Sequence, residues 1–256
     1  MATTDERRGS NERGAGEREV APGVYRFGAH RVNWYVVADD AGERLTVVDA
    51  GLPAHWDLLV DGLEGLGYDM EDVAALVLTH GHPDHVGFAE RLRKTGVTVY
   101  AHEADRNLLE SGGGPIPRDL LRNLWRPRIL TYFVGQARGG AASIDPVRSF
   151  EPMADGEVLD VPGSPEVRHL PGHTPGQCAL VLDDREVVLV GDALATTDLR
   201  RRDGDGPQVL FIADDHDLSR ESLARLEDLG DVVLLPGHGE PWAGEASEAV
   251  RLARER

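Results

Sequence analysis

The chain has 256 residues, 41% of them hydrophobic, and a formal charge of −18. A chain of this length can bury a core between packed layers of secondary structure, and its negative charge argues against extended nucleic-acid binding, because the summed field repels a polyanion. A single cysteine, Cys178, excludes an intrachain disulfide, and we expect it to be buried and inert in a strand.

The first nineteen residues are charged and glycine-rich and have almost no apolar side chains. This composition predicts a disordered tail over residues 1–19. The sequence contains neither the apolar core of a signal peptide nor an apolar run long enough to cross a bilayer. We therefore expect a cytoplasmic protein without a membrane partner.

Short apolar runs alternate with helical patterns along the rest of the chain, which is typical of a mixed α/β protein. They predict strands over 24–27, 34–37 and 45–49, a helix over 55–66, a strand over 73–78, a helix over 86–94 and a strand over 97–101. After a middle region they predict strands over 167–170, 179–182 and 187–190, a helix over 219–229 and a strand over 232–235. We favour one domain over residues 20–256.

The middle region is longer than the predicted elements require, since 87 residues separate His85 from His173. We expect a helical insertion at about 104–140. Its sequence PIPRDLLRNLWRPR predicts a helix that ends at Pro127 and has an apolar stripe and an arginine stripe.

Two interpretations of this helix remain open. It is either an ordinary amphipathic helix with a solvated arginine face or a lid over a substrate pocket. In the second interpretation, arginines contact an anionic substrate, and the side chains that line an apolar pocket are Leu121, Trp125, Tyr132 and Phe133.

Residues that favour metal binding occur at the ends of the predicted strands. The densest cluster, THGHPDHVG, follows the strand over 73–78, and single acids or histidines follow four other apolar runs near glycine or proline. Side chains at such turns can converge on one point. The candidate ligands are His80, His82, Asp84, His85, His173, Asp192 and His238. We expect His30, His55, His102, His169 and His216 to be ordinary core or surface residues.

Neutral imidazoles and carboxylates are ligands that suit zinc, and also manganese and ferrous iron. Seven donors exceed the three or four that one tetrahedral ion needs, so the count predicts two divalent ions. The spacing places His80 and His82 on one ion, and the kink at Pro83 turns the next two donors toward the other. Asp192 is the natural bridge, because a carboxylate has two oxygens. A purely structural metal is the rival hypothesis, but structural zinc sites favour closed, cysteine-rich tetrahedra.

The order of these motifs resembles that of the metallo-β-lactamase superfamily of metallohydrolases, from about Val24 to Glu240. The resemblance implies an α/β fold, a four-layered αββα sandwich, with a dinuclear site at one edge. Asp49 matches the buried aspartate that orients the metal loop in this family. The resemblance also implies a division of ligands: His80, His82 and His173 on the first ion, Asp84, His85 and His238 on the second, and Asp192 on both.

Two divalent ions about 3.5 to 4 Å apart hold a water between them and lower its pKa, which yields a hydroxide that attacks a carbonyl carbon. We therefore expect a hydrolase of lactones, thioesters or esters that acts on a small molecule, anionic or partly apolar. Asp84 is the candidate catalytic residue, because it would hold the second ion and orient the hydroxide. The motifs supply no other nucleophile.

The carboxylate at Asp192 is more typical of the family's glyoxalase II-like, lactonase-like and nuclease-like branches than of its antibiotic-hydrolysing enzymes, and the acidic charge of the chain argues against a nuclease that acts on RNA. Two alternatives from other classes remain. One is an oxidoreductase with a single iron that resembles persulfide dioxygenases, and the other is a noncatalytic metal-binding protein. Metal content, oxygen consumption and turnover of carbonyl substrates distinguish them from a hydrolase with two ions.

Overall fold

The computed structural model describes residues 18–29, 31–198, 200 and 206–256. Strands in these residues form two sheets. The first sheet contains, in spatial order, β1 (Arg18–Ala21), β2 (Val24–Ala29), β3 (Val32–Ala38), β4 (Leu45–Val48), β5 (Val73–Val77), β6 (Thr98–His102) and β7 (Glu151–Met153). The second contains β8 (Glu166–His169), β9 (Cys178–Leu182), β10 (Val187–Gly191), β11 (Asp231–Pro236) and β12 (Trp242–Glu245), with neighbours in reverse order from β12 to β8.

Strand direction brings the candidate ligands to one edge. Strands β4 and β5 are parallel, so Asp49 and the loop after β5 leave the first sheet at the same end. Strands β10 and β11 are also parallel, and Asp192 and His238 follow them. Strand β8 is antiparallel to β9, which is antiparallel to β10, so the loop that carries His173 leaves at this edge too.

Helices cover the outer faces of the sheets and fill the insertion. They are α1 (Trp56–Leu66), α2 (Pro83–Val86), α3 (Ala89–Arg93), α4 (Arg106–Glu110), α5 (Arg118–Arg122), α6 (Pro127–Arg138), α7 (His216–Ser222) and α8 (Ala246–Glu255). No helix in the described ranges is long and apolar enough to cross a bilayer.

Alternating side chains sort the core into layers. On β3, Trp34 and Val36 pack in the cluster that includes the α1 and α3 leucines, whereas Tyr35 and Val37 pack against the second sheet. On β10, Val188 belongs to the cluster shared with α8. Because each sheet buries both faces, the layers follow the order helix, sheet, sheet, helix. The predicted αββα sandwich is confirmed.

The predicted tail ends two residues too late. Arg18 and Glu19 begin β1, where they lie opposite Arg26 and Tyr25 of β2. Both side chains are exposed, and backbone pairing at a sheet edge does not require apolar residues. Residues 1–17, which make up the rest of that prediction, lie outside the described ranges.

The predicted helix boundary at Pro127 is wrong. Helix α5 already ends at Arg122, Arg126 has extended backbone, and Pro127 occupies the first turn of α6. Proline disfavours a helical conformation at the preceding residue and is well suited to the first turn of a helix, so it begins a helix here instead of ending one.

Other boundaries differ by smaller amounts. The helix predicted over 55–66 begins at Trp56 after a single 3₁₀ turn. The helix predicted over 86–94 is the shorter α3, and α2, which was not predicted, ends at Val86. The helix predicted over 219–229 is α7 followed by a 3₁₀ turn. Strands β1, β7 and β12 and helix α8 were not expected from the sequence. Cys178 is buried in β9, as predicted.

Candidate metal centre

The seven candidate ligands converge at the carboxyl edge of the two sheets. Their donor atoms form three overlapping groups, within each of which all atoms lie within 4.8 Å of one another. The groups are His80, His82 and His173; His80, His85 and Asp192; and Asp84, His85 and His238. The first and third reproduce the two triads that the resemblance implies.

Asp192 lies between these triads. Its Oδ2 is 3.3 Å from His173 Nε2 and 3.1 Å from His238 Nε2. Its Oδ1 is 3.4 Å from His85 Nε2. Gly237 leaves room for this carboxylate, because a Cβ at that position would overlap Asp192 Oδ1 and crowd the His85 ring. One carboxylate therefore contacts imidazoles of both triads.

In four of the five imidazoles the outward ring nitrogen is fixed by a neighbouring group, which turns Nε2 inward, whereas His82 places its Nδ1 2.8 Å from His173 Nε2. Such contacts set the tautomer and orientation of an imidazole ligand. The contacts are His85 Nδ1 to Asp49 Oδ2 at 2.8 Å, His173 Nδ1 to the Ile212 carbonyl at 2.8 Å, His238 Nδ1 to the Arg31 carbonyl at 2.8 Å and His80 Nδ1 to Thr79 Oγ1 at 3.1 Å.

Asp49 anchors the ligand loop, as the family resemblance implies. The Thr79 backbone N–H donates to Asp49 Oδ1 over 2.8 Å, and the Thr79 hydroxyl donates to Oδ2 over 2.9 Å. Asp49 has a φ of 65°, a conformation that aspartate tolerates better than most residues. One buried carboxylate thus holds both the start of the loop and the His85 ring.

A second anchoring carboxylate, Asp105, was missed by the sequence analysis. It lies in the 3₁₀ turn after β6, is 1% exposed, and accepts three hydrogen bonds. The donors are the Gly81 backbone N–H at 2.8 Å, the Thr174 hydroxyl at 2.7 Å and the Gly176 backbone N–H at 2.7 Å. Asp105 therefore joins the loop of His80 and His82 to the loop of His173. The available signal was its position after β6, which runs parallel to β5.

Helix α6 holds Asp84 through two side chains four residues apart. The Tyr132 hydroxyl donates to Asp84 Oδ2 over 2.6 Å, and Gln136 Nε2 donates to the same oxygen over 3.0 Å. From the sequence, Tyr132 was predicted only as part of an apolar wall, and Gln136 was not among the predicted site residues. Their spacing places both on one face of a helix, which was the available signal.

Three imidazoles of the centre are held neutral. Burial, aided by the nearby His85, lowers the pKa of His80 well below its ordinary value. Burial and His173 lower the pKa of His82 to about 4, and burial also lowers the pKa of His173. A neutral imidazole has a free lone pair, so these rings suit a cation at pH 7.

The other two imidazoles lie among carboxylates. Burial acts to lower the pKa of His85, but Asp192 and Asp49 outweigh it and raise that pKa to about 10. Against the effect of burial, Asp192 likewise raises the pKa of His238 to about 9. Burial acts to raise the pKa values of Asp84 and Asp192, yet the two charged imidazoles lower the first and hold the second well below its usual range. In the absence of a cation, this half of the centre contains two ion-paired imidazoles.

Three buried atoms of the centre have no hydrogen-bond partner among the described residues: His80 Nε2, His85 Nε2 and Asp192 Oδ1. The last two approach to 3.4 Å without the alignment of a hydrogen bond. Buried polar atoms without a partner are costly and uncommon. A divalent cation would satisfy atoms of this kind, so the donor set fits bound metal.

A cavity of about 180 Å³ lies against the centre. Its apolar wall includes Ile116, Leu120, Phe133, Leu210 and Ile212. Its polar wall includes Tyr132, Gln136 and the candidate ligands His82, Asp84, His173, Asp192 and His238. Among the described residues, no arginine or lysine lines it. The cavity is thus lined both by candidate ligands and by apolar side chains.

The lid interpretation is only half correct. Tyr132 and Phe133 line the cavity, but Leu121 and Trp125 do not, and they are 48% and 76% exposed. Arg118 and Arg122 line a neighbouring cavity that also contacts His82 and His173. The helix that was expected to carry Leu121, Trp125 and the arginines ends at Arg122, so Trp125 lies beyond it.

The remaining histidines of the described ranges lie outside the three groups. His55 is buried and accepts a hydrogen bond from the Leu52 backbone N–H. His102 stacks on His169 with ring centroids 4.0 Å apart, and His216 lies 3.5 Å from Asp119. His30 is outside the described ranges.

Comparison with known proteins gives one family. The model of the metallo-beta-lactamase superfamily matches residues 27–238. An uncharacterized protein of Mycobacterium leprae is 35% identical over 220 residues, which cover 83% of this chain and 88% of that protein. Hydroxyacylglutathione hydrolase GloC of Haemophilus influenzae is 30% identical, with 82% of this chain and 87% of that protein covered.

Solved structures agree with this result. A metallo-beta-lactamase family protein from Thermus thermophilus superposes with a TM-score of 0.67 at 25% identity, covering 93% of this chain and 80% of that one. The protein TTHA1623, solved in a di-iron-bound form, has a TM-score of 0.58 at 28% identity, covering 85% of this chain and 92% of that one.

Proposed function

Because the chain belongs to the metallo-β-lactamase superfamily, we propose that it is a hydrolase with two divalent metal ions that cleaves lactones, thioesters or esters of small molecules. The observation that carries the proposal is the position of Asp192, whose Oδ2 lies within 3.3 Å of one triad and 3.1 Å of the other. Two triads with a shared carboxylate provide enough donors for two ions.

The proposed ligands follow the geometry of the groups. His80, His82 and His173 would hold one ion, Asp84, His85 and His238 would hold the other, and Asp192 would contact both. Zinc is our first choice, since imidazole and carboxylate suit it, and iron or manganese is the alternative. The di-iron-bound form of TTHA1623 supports a centre with two ions and keeps iron among the candidates.

When bound, such ions lower the pKa of water and polarise a substrate carbonyl. Asp84 is the proposed catalytic residue. Its carboxylate lines the cavity, is ionised at neutral pH, and is held by two donors from α6, so it can orient the attacking water. Burial and Asp84 raise the pKa of Tyr132 well above its usual value, so its hydroxyl remains a hydrogen-bond donor.

The cavity supports a substrate with an apolar portion. Beside the candidate ligands, its lining includes leucine, isoleucine and phenylalanine side chains, which exclude water and accommodate carbon chains. The relative GloC is named as a hydroxyacylglutathione hydrolase, and a hydroxyacylglutathione is a thioester, which belongs to the proposed substrate class. An anionic group of the substrate would pair with Arg118 and Arg122, which line the neighbouring cavity.

The test is turnover by protein purified without chelator on lactone, thioester, aryl ester, phosphodiester and β-lactam substrates. We expect hydrolysis of the first three, and we expect Asp192→Ala to abolish it. Asp61→Ala, on the exposed side of α1, is the matched control and should retain full activity. Unchanged turnover in Asp192→Ala would contradict the shared role of this carboxylate.

The same preparation tests the alternative functions. One iron per chain with oxygen consumption on glutathione persulfide would replace the hydrolase with an oxidoreductase. Bound metal without turnover on any of these substrates would favour a noncatalytic metal-binding protein.

A further inference from the structure

The insertion carries most of the exposed large hydrophobic side chains of the described ranges. Seven large hydrophobic residues in the described ranges are exposed, and five of them lie between residues 116 and 134. We call these five the apolar face: Ile116, Leu121, Trp125, Leu130 and Val134. Single exposed hydrophobic residues are ordinary, but a cluster marks a surface that contacts a partner or a membrane.

Helix α6 carries apolar side chains on its exposed side as well as on its buried side. Its inner side buries Ile129, Tyr132 and Gln136. Its outer side exposes Leu130 and Val134, which are four residues apart and therefore adjacent on the helix surface. Leu130 and Val134 are thus left uncovered by the described residues, beside the exposed Thr131 and Arg138.

The apolar face lies in the most cationic part of the sequence. Residues 116–138 contain five arginines and one aspartate, a formal charge of +4, whereas the whole chain carries −18. Trp125 is the most exposed of the apolar residues, at 76%, and the guanidinium of Arg126 lies 4.9 Å from its ring centroid. Apolar side chains bordered by arginines are typical of surfaces that lie in the headgroup region of a bilayer.

Charge decides between the possible occupants. A second copy that docked symmetrically through this face would bring the same arginines together, and the two faces would repel each other. An anionic lipid bilayer supplies negative charge for the arginines of this face and an apolar interior for its exposed side chains. Charges act over about 8 Å at physiological ionic strength, so a bilayer at this face is governed by the nearby arginines more than by the charge of the whole chain.

We propose that the apolar face of the insertion docks on an anionic lipid bilayer, with Trp125 and Leu130 entering the headgroup region and the exposed arginines, Arg118, Arg122 and Arg138, contacting lipid phosphates. The prediction of no membrane partner rested on the lack of a membrane-spanning segment, whereas the proposed docking is contact with the surface of one leaflet. The inference stands independently of the proposed hydrolysis. The face also borders the cavity, since Ile116 is both exposed and part of the cavity wall.

The test is co-sedimentation of the full-length protein with vesicles of phosphatidylcholine, alone or mixed with phosphatidylglycerol. We expect binding to the mixed vesicles and none to pure phosphatidylcholine. The double variant Trp125→Ser/Leu130→Ser should bind about tenfold more weakly because it removes the apolar contacts. Arg122→Glu should also weaken binding, through the charge.

Val158→Ser is the matched control, because Val158 is 60% exposed and lies outside the insertion. It should bind like the unchanged protein. Absence of binding to mixed vesicles would overturn the proposal, and so would equal binding by the double variant. Light scattering over a range of protein concentrations measures whether the protein dimerises. A dimer that is lost in the double variant would assign the apolar face to a second copy of the chain and would also overturn the proposal.

Discussion

Replacing Tyr132 with phenylalanine removes one oxygen from the candidate metal centre. The Tyr132 hydroxyl is buried and donates to the ionised Asp84 over 2.6 Å. Hydrogen bonds to charged groups contribute about 1.5–3 kcal/mol to stability. Gln136 still donates to the same oxygen at 3.0 Å, so Asp84 keeps one partner. We expect Tyr132→Phe to lower the free energy of unfolding of the metal-free protein by about 1.5–3 kcal/mol at pH 7.

Tyr35→Phe is the control for this measurement. Tyr35 is also buried, but its hydroxyl donates over 2.7 Å to the neutral carbonyl of Pro236. A neutral hydrogen bond contributes about 0.5–1.5 kcal/mol, so this variant should lose less. Urea unfolding of chelator-treated protein measures both losses, provided that the m-values agree. An equal or larger loss in Tyr35→Phe would refute the charged state that we assign to Asp84. Metal titration should also show roughly tenfold weaker binding in Tyr132→Phe.

Asp105→Ala leaves three buried donors of the candidate ligand loops without an acceptor. We therefore expect urea unfolding to show that the free energy of unfolding falls by about 3 kcal/mol or more. A loss as small as that of Asp61→Ala would contradict the role of Asp105 as an anchor. Metal binding at pH 7 should release roughly two protons per chain, because His85 and His238 have pKa values of about 10 and about 9 without metal and must lose their protons to bind it. Calorimetry in buffers of different ionisation enthalpy measures this release, and its absence would contradict the assignment. Both pKa values lie above the ordinary 6.5, so these ion pairs stabilise the metal-free protein fully below pH 6.5 and are lost as the pH rises through 9 and 10. The urea midpoint of metal-free protein should therefore fall as the pH rises from about 6.5 to about 10. A midpoint that does not change with pH would argue against the ion pairs.

Much of the fold was predictable because its central strands are buried on both faces. Strands such as β5 and β10 are continuous apolar runs, and turn residues mark their ends. The edge strands were harder to predict. Strand β1 contains Arg18 and Glu19, and β12 contains exposed residues, because an edge strand needs backbone pairing more than apolar side chains. The break after Arg122 was missed because Pro127 was interpreted as the end of one helix and not as the start of the next.

The candidate ligands were predictable because the chemistry that selects them is local in sequence. A strand end followed by glycine or proline and a histidine or aspartate is visible without the fold. The residues that hold those ligands are not visible in this way. Asp105 and Gln136 act on loops that are distant in the chain, at Gly176 and Asp84, and no periodicity links them to their partners. The outward orientation of Trp125 likewise depends on where α5 ends.

The central claim is that two cations occupy one centre built from seven side chains. The most direct test is an anomalous difference map from crystals of metal-loaded protein, recorded at the absorption edge of the metal found by elemental analysis. We predict two peaks about 3.5 to 4 Å apart, one on each side of the Asp192 carboxylate. A single peak, or peaks away from His173 and His238, would contradict the account.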